Sequence, residues 1–183
     1  MRAKQDLFKE SIGNDRYLTA TIYRDELMVH VREYTKAAND KMFPTKKGVC
    51  FTKTRWATFR AHIDEIDRSV ELLKADQPVE YSQHIGGKYY VTISRGIKCV
   101  NIRRYFLPPN CTKERPTRSG IALRLDEWET FLTKMDDLHE KLPELKVVSP
   151  CYASEDHANQ LGYLNCLECN PFGLDLSIKS FTF

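Results

Sequence analysis

An internal repeat constrains the fold of this chain more than any other feature of its sequence. Three segments of the first half recur in the same order in the second half: Val29–Tyr34 as Val100–Tyr105, Pro44–Val49 as Pro116–Ile121, and the pair Trp56 and Phe59 as the pair Trp128 and Phe131. The offset is 71 residues for the first segment and 72 for the other two. Ordered matches separated by a single insertion indicate two copies of one supersecondary unit, so that any site in one copy should be built twice.

Each copy carries a strand pattern followed by a helix pattern. Apolar and polar side chains alternate in residues 29–32 and 100–103, which is typical of half-buried strands. We predict further strands at 19–23 and 49–51 in the first copy, and at 89–93 and 121–123 in the second, with the Pro-x-x-x-Gly segments as turns. Apolar residues spaced by three and four at 56–73 and 128–142 predict one amphipathic helix per copy.

The predicted fold class is α+β, with two tandem units of about four antiparallel strands plus one helix. The first unit spans residues 12–78, the second 79–142, and a small C-terminal extension 143–183. Thr52 should cap the first helix, and Asp126 with Glu129 the second. A unit of this size buries too little surface alone, so we expect an intramolecular pseudo-dimer whose helices pack across an approximate two-fold axis. The chain is expected to be a monomer, with further association left open.

Charge is distributed in phase with the repeat. Residues 16–53 hold eight Lys and Arg against four Asp and Glu, and residues 88–124 hold nine against one. The two helical segments differ, because 54–74 is balanced and 125–142 has six acids against two bases. This alternation predicts a molecule with one cationic and one acidic face.

Composition narrows the class of protein. The N-terminal residues are charged and show no signal peptide, and no apolar run is long enough to span a membrane, so we expect an intracellular protein. The six cysteines are irregularly placed, which indicates reduced thiols. No Gly-rich phosphate loop or recognisable nucleophile is present, and we therefore predict a non-enzymatic protein without a cofactor.

At these residues the chain resembles the positive cofactor four family of transcriptional coactivators. The shared features are the Ile-Arg-x-Tyr type of strand, the Pro-x-x-x-Gly segment and the Trp-led helix, which together cover roughly residues 12–142. The resemblance implies a domain that binds single-stranded DNA and usually works as a homodimer. A duplicated chain would replace the homodimer with a fused one.

The resemblance also implies which residues contact nucleic acid. The family's strand arginine falls on Arg32 and Arg103, its turn cations on Lys46, Lys47, Arg115 and Arg118, and its hairpin on Tyr23, Arg24, Arg95 and Lys98. Exposed aromatic side chains are expected at Phe106 and at Phe43, which replaces a family lysine. We expect Trp56 and Trp128 to be buried. Asp25 and Glu26 depart from the basic pattern of the family, which predicts unequal binding by the two halves.

The sequence leaves three functions open. The first is a single-stranded-DNA-binding protein acting in transcription, replication or repair, in the nucleus if the source is eukaryotic or viral. The second is an interaction scaffold for transcription or replication proteins, with weak nucleic-acid binding. The third is RNA binding, because cationic and stacking contacts serve DNA and RNA alike.

The extension contains a weak metal-binding pattern. Cys166-x-x-Cys169 follows Cys151 and His157, but one Cys-x-x-Cys pair is a weak zinc signal, and we predict no metal there. We expect a structural extension packed on the second copy, with Ser154 capping a short helix that runs to Gly162 and a strand at residues 174–178. An alternative is that the acidic tail, which carries Phe181 and Phe183, docks a partner protein or screens the basic face.

Overall fold

Two four-stranded antiparallel sheets form the body of the protein. The computed structural model describes residues 5–38 and 40–173. The first sheet contains β1 (Gln5–Gly13), β2 (Arg16–Tyr23), β3 (Glu26–Lys36) and β4 (Met42–Phe51), and the second β5 (Glu80–Gly86), β6 (Tyr89–Ser94), β7 (Ile97–Phe106) and β8 (Arg115–Arg124). In both sheets consecutive strands are neighbours. The predicted duplication is confirmed.

Strand β1 begins at Gln5, before the predicted start of the first unit at residue 12. Register shifts at both ends of its pairing with β2 interrupt the alternation of side chains. Phe8 and Ile12 are nevertheless buried, four residues apart. Glu10 lies between them and is exposed, so the segment lacks the apolar alternation by which a half-buried strand is recognised.

The helices differ from the prediction in two places. The first unit has two helices, α1 (Lys53–Ala61) and α2 (Ile63–Lys74), because the backbone N–H of His62 donates to Phe59 in a tighter turn (3.1 Å). In the second unit α3 (Leu125–Lys141) begins one residue before Asp126, which cannot then be its cap. Instead the Glu127 carboxylate accepts from the backbone N–H of Arg124 (2.8 Å). The Thr52 cap is confirmed, since its hydroxyl accepts from the N–H of Arg55.

The helices of each unit contact the sheet of the other unit as well as their own. Helix α3 contacts β1 and β2, while α1 contacts β5 and α2 contacts β6. Trp56 and Trp128 are fully buried between the layers, as predicted. The ring centroid of Trp56 lies 6.3 Å from that of Phe131, and the equivalent pair Phe59 and Trp128 lies 6.4 Å apart. The two units therefore share one core and form the predicted pseudo-dimer.

Each buried indole donates a hydrogen bond across the pseudo-two-fold axis. The Trp56 N–H donates to Nε2 of His139 (2.9 Å), and the Trp128 N–H donates to a carboxylate oxygen of Asp67 (3.1 Å). Residues 67 and 139 occupy equivalent positions, 72 apart in the repeat. Burial, with the nearby charges of Arg60 and Lys146, lowers the pKa of His139, so its ring stays neutral and can accept the bond.

The Pro-x-x-x-Gly segments are bulges inside β4 and β8, and their interpretation as turns is wrong. Arg32 pairs with Gly48 and Tyr34 with Pro44, so three residues of β4 lie opposite Glu33 alone. The same shift occurs between β7 and β8. A Cβ atom on Gly48 would lie 2.6 Å from the carbonyl oxygen of Val31, so the close approach of the strands requires glycine.

The extension packs on both units rather than on the second alone. It contains α4 (Glu144–Val147), two 3₁₀ turns (Cys151–Ala153 and Glu155–His157) and α5 (Gln160–Asn165). Helix α5 is capped by Asn159, and the predicted cap at Ser154 is wrong because the hydroxyl of Ser154 bonds His157 instead. The predicted strand at residues 174–178 and the side chains of Phe181 and Phe183 lie outside the described residues. Among the described helices, none combines the length and apolar character needed to cross a membrane.

Candidate nucleic-acid interface

The strand arginines of both repeats donate to the equivalent bulge carbonyl on the sheet face opposite the helices, and Arg103 also donates to the side-chain oxygen of Asn101 (3.2 Å). Val29 and Val31 are buried under the helices, so Arg32 points away from them. Its guanidinium donates to the carbonyl oxygen of Thr45 in the bulge (2.7 Å), and that of Arg103 donates to the carbonyl oxygen of Thr117 (3.0 Å). Both arginines are partly exposed. Each bulge thus positions a cation while part of the guanidinium remains available.

The bulge itself is built twice with the same hydrogen bonds. The Thr45 hydroxyl donates to the carbonyl oxygen of Glu33 (2.9 Å) and accepts from the N–H of Lys47 (3.1 Å). Thr117 makes the equivalent bonds with Arg104 and Ser119 (2.8 and 3.1 Å). The turn cations therefore project from a backbone whose shape is the same in the two copies.

A tyrosine pair lies beside each strand arginine. Tyr17 pairs with Arg32 across β2 and β3 and packs edge-on against Tyr34, with ring centroids 4.9 Å apart. Tyr90 and Tyr105 repeat this arrangement at 4.7 Å. Burial raises the pKa of Tyr34, and burial together with Glu114 raises that of Tyr90 to about 12. Both hydroxyls therefore stay protonated at neutral pH; Tyr34 is buried, whereas Tyr90 is partly exposed.

One exposed phenylalanine occupies the same rung of each sheet, on opposite strands. Phe43 on β4 pairs with Thr35, whereas Phe106 on β7 pairs with Arg115. Their exposed fractions are 48% and 44%. In the first copy Phe43 therefore provides the exposed aromatic ring that Phe106 provides in the second. Both rings can stack on a base.

The cations of the bulges differ between the copies. Lys47 forms an ion pair with Glu33 (3.0 Å), which reduces the positive field at the first bulge. The position of Glu33 is taken by Arg104 in the second copy, 71 residues later, and Arg104 is exposed. Lys46, Arg115 and Arg118 are exposed as well. The second copy thus carries the stronger cationic surface.

The hairpin residues form a separate group at the opposite end of each sheet. Tyr23 and Arg24 lie at the β2–β3 turn, six rungs from Arg32, which corresponds to roughly 20 Å along a strand. Arg95 and Lys98 flank the β6–β7 turn, where Arg95 lies 3.9 Å from Asp76. The structure does not bring these residues together with the bulge cations, although one extended polymer could contact both groups.

Sequence reasoning missed four residues of this face. Tyr17 and Tyr90 form the ring pairs, Arg104 adds a cation, and the Lys9 ammonium lies 4.2 Å from the centroid of the Tyr34 ring. An alignment of the two copies would have indicated Arg104, because it places an additional cation at the position equivalent to Glu33. Lys9 lies on the undetected strand β1, and no sequence signal marks it.

The four weak metal candidates of the extension come together in space. Cys151, His157, Cys166 and Cys169 each offer one ligand atom, and these four atoms lie within 4.8 Å of one another. This arrangement counts against the prediction of a metal-free extension. The cluster is separate from the sheet face that carries Arg32 and Arg103.

Comparison with known proteins identifies the duplicated unit. The family model Transcriptional Coactivator p15 (PC4) matches the chain twice, at residues 11–62 and 84–134, which is more than half of its length. A Caenorhabditis elegans protein whose name includes the words RNA polymerase II transcriptional coactivator is 38% identical over 58 residues, covering 31% of this chain and 47% of its own. The RNA polymerase II transcriptional coactivator KELP of Arabidopsis thaliana is 29% identical over 70 residues, covering 38% of this chain and 42% of its own.

The chain spans less than half the length of either relative, so the likeness concerns the domain rather than the whole protein. Both relatives are named as coactivators and not as enzymes. With two matches in the order and spacing of the two sheets, the chain belongs to the Transcriptional Coactivator p15 (PC4) family and carries its domain in duplicate.

Proposed function

We propose that this protein binds single-stranded DNA on the outer faces of its two sheets and acts in this way as a transcriptional coactivator. The observation that carries the proposal is the matched placement of Arg32 and Arg103, each bonded to the bulge carbonyl of its own repeat. The same bond in both copies places a partly exposed guanidinium at the equivalent point of each sheet, near an exposed phenylalanine and the bulge cations.

The cationic and the aromatic side chains on this face supply the two main contributions to the free energy of single-strand binding. Lys and Arg neutralise phosphates and release counterions, which makes affinity depend on salt. Exposed aromatic rings stack on unpaired bases, each contributing roughly 1–3 kcal/mol with little sequence preference. Phe43 and Phe106 are the exposed rings, and they lie next to the cationic bulges. Paired bases would not offer their faces to these rings, so the surface favours unpaired strands.

The biological role rests on the family. Its relatives are named for RNA polymerase II transcription, and we infer that this protein acts with the transcription machinery, which places its expected site of action in the nucleus. Roles in replication or repair would follow from the same binding surface.

A fluorescence-anisotropy titration tests the proposal. Labelled single-stranded DNA, single-stranded RNA and duplex DNA are compared at two salt concentrations, with the wild type and the double variant Arg32→Gln/Arg103→Gln. We expect single strands to bind more tightly than duplex, and the variant to lose at least about tenfold in affinity, which is about 1.4 kcal/mol.

The control variant Arg68→Gln/Lys141→Gln removes the same charge from exposed positions on α2 and α3. It should bind almost as the wild type does. Equal losses in the two variants, or equal affinity for duplex and single strands, would contradict the proposal. Preference for RNA would assign the same surface to RNA, and absence of salt-sensitive binding would favour the interaction scaffold.

A further inference from the structure

The cysteine and histidine side chains of the extension have the spacing of a tetrahedral metal site. The Cys151 sulfur lies 3.7 Å from that of Cys166 and 3.9 Å from Nε2 of His157. Sulfurs on a tetrahedral zinc ion, with Zn–S bonds of about 2.3 Å, lie about 3.8 Å from each other. Three thiols and one imidazole are also a common ligand set of structural zinc.

Neighbouring groups orient these side chains. The Ser154 hydroxyl is hydrogen-bonded to Nδ1 of His157, which leaves Nε2 facing the sulfurs. The N–H of Asn170 donates to the carbonyl oxygen of Cys166 (2.7 Å) and closes the turn that carries Cys169. A hydrogen bond to the second ring nitrogen is the usual support of a metal-bound histidine.

The segment around the cluster has no apolar core. Of its described residues 146–173, none has a buried side chain, and Leu161 and Leu167 are 71% and 77% exposed. Small folds of this kind are normally stabilised by a metal or by disulfides, because hydrophobic burial is insufficient. The cysteines here are free thiols.

One residue of the Cys166–Cys169 turn connects the cluster to both repeats. The Glu168 carboxylate accepts two hydrogen bonds from the guanidinium of Arg55 on α1 (2.8 and 2.7 Å). Its carbonyl oxygen accepts from the N–H of Gly87 in the β5–β6 turn (2.7 Å). A Cβ atom on Gly86 would lie 2.3 Å from a carboxylate oxygen of Glu168. Glycine at position 86 therefore leaves the space that the Glu168 side chain occupies.

We propose that Cys151, His157, Cys166 and Cys169 bind one zinc ion, and that this metal folds the extension into a latch which holds Glu168 between the first and second repeats. The described residues of neither repeat hold an equivalent cluster, and the site lies apart from the sheet face that carries Arg32 and Arg103. Nitrogen and sulfur ligands in this arrangement select zinc over magnesium or calcium, which prefer oxygen.

Metal analysis of the purified full-length chain tests the first half of the proposal. We expect about one zinc per chain by elemental analysis, and visible absorption of tetrahedral thiolate-bound cobalt when Co²⁺ replaces it. Cys169→Ser should lose the metal, whereas Cys111→Ser, which changes a cysteine outside the cluster, should retain it. Ser154→Ala should retain the metal but weaken its affinity by about 10–100-fold. A chain purified without zinc that also fails to bind added zinc, or a disulfide between Cys151 and Cys166, would overturn the site.

Limited proteolysis tests the latch separately. Removing zinc with a chelator should accelerate cleavage within residues 146–173 while the two repeats stay intact. Glu168→Ala should keep the zinc but release the segment, so that cleavage again accelerates. If zinc is bound and neither treatment changes the cleavage rate, the metal site stands and the latch is wrong.

Discussion

The two repeats differ at the junction between the start of each helix and the hairpin turn of the facing sheet. In one half, Glu127 is 1% exposed and accepts hydrogen bonds from Asn14 of the β1–β2 turn and from Arg16 at the start of β2. The equivalent position in the other half, 72 residues earlier, is Arg55. Arg55 lies over the ring of Tyr89, 4.9 Å from its centroid, and pairs with Glu168 of the extension.

This difference shows what duplication permits. In a homodimer one sequence serves both copies of a junction, so a charge change at such a position alters both. In the fused chain the position carries an acid in one copy and a base in the other. The base, Arg55, faces the β5–β6 turn, which contains no acidic residue. The extension supplies the acidic partner, Glu168. One half of the molecule is therefore self-sufficient, and the other depends on residues beyond the repeat.

Removal of Glu127 should produce the largest effect. Glu127→Ala leaves Arg16, which is 20% exposed, without its carboxylate, and should lower the free energy of unfolding by about 3–5 kcal/mol. Glu168→Ala should cost less, because Glu168 is already 22% exposed and Arg55 keeps the Tyr89 ring and the carbonyl oxygen of Cys50 as partners. Chemical denaturation followed by tryptophan fluorescence measures both. Equal losses would show that the two junctions contribute alike.

The bulges should respond identically in the two halves. Gly48→Ala and Gly120→Ala place a Cβ atom 2.6 and 2.5 Å from the carbonyl oxygens of Val31 and Ile102. Each substitution should lower the free energy of unfolding by roughly 1–3 kcal/mol through overpacking. Gly96→Ala, at a position with no atom within 4 Å of the added carbon, is the control. A clear difference between the two bulge variants would contradict their structural equivalence.

The cationic surfaces should contribute unequally to nucleic-acid binding. Removing two charges by Arg115→Gln/Arg118→Gln should weaken single-strand affinity more than Lys46→Gln/Lys47→Gln, because Lys47 is already paired with Glu33. If both arginines contact phosphates, the slope of log K against log salt should fall by about 1.4, at about 0.7 per phosphate on single strands. Anisotropy titrations over a salt series give both slopes. A larger loss from the lysine variant would reverse the assignment.

The smallest expected effect is a pH dependence of stability that distinguishes His139, the acceptor of the Trp56 N–H, from Asp67, the acceptor of the Trp128 N–H. Burial lowers the pKa of His139, so the unfolded chain binds a proton more readily than the folded one. Stability should therefore fall as the pH drops below about 6.5, the ordinary histidine pKa. His139→Gln keeps an acceptor for Trp56 and should reduce this pH dependence. Denaturation at several pH values checks it, with His62→Gln at a partly exposed position as the control. An unchanged pH profile in His139→Gln would show that another group is responsible.

Most of the framework could be predicted from the sequence, because periodicity and repetition are local properties. The alternation in residues 29–32 predicted a strand with Arg32 on the outer face, and the spacing from Trp56 to Leu73 predicted a buried apolar stripe. Errors arose where hydrogen bonds override the pattern. The Pro-x-x-x-Gly segments are bulges within strands, and the carboxylate of Glu127 sets the start of α3. Strand β1 was missed because the exposed Glu10 interrupts its apolar alternation.

The candidate interface was predicted in part. The positions of its arginines and phenylalanines were predicted from the repeat and the family resemblance. Their contribution to nucleic-acid binding remains a prediction. The partners Thr45 and Thr117, the tyrosine pairs and Lys9 depend on which strands are adjacent, and that information is nonlocal.

The amino-acid sequence alone determined that this protein is a duplicated α+β unit with a basic surface in each copy, because the spacing of apolar residues and the charge of each segment are local properties of the sequence. Only the tertiary structure decided that each helix also packs on the sheet of the other copy and that Arg55 pairs with Glu168. It also decided that four cysteine and histidine side chains, far apart in sequence, lie together. These features join residues far apart in sequence, and their energies depend on distances that exist only after the chain has folded.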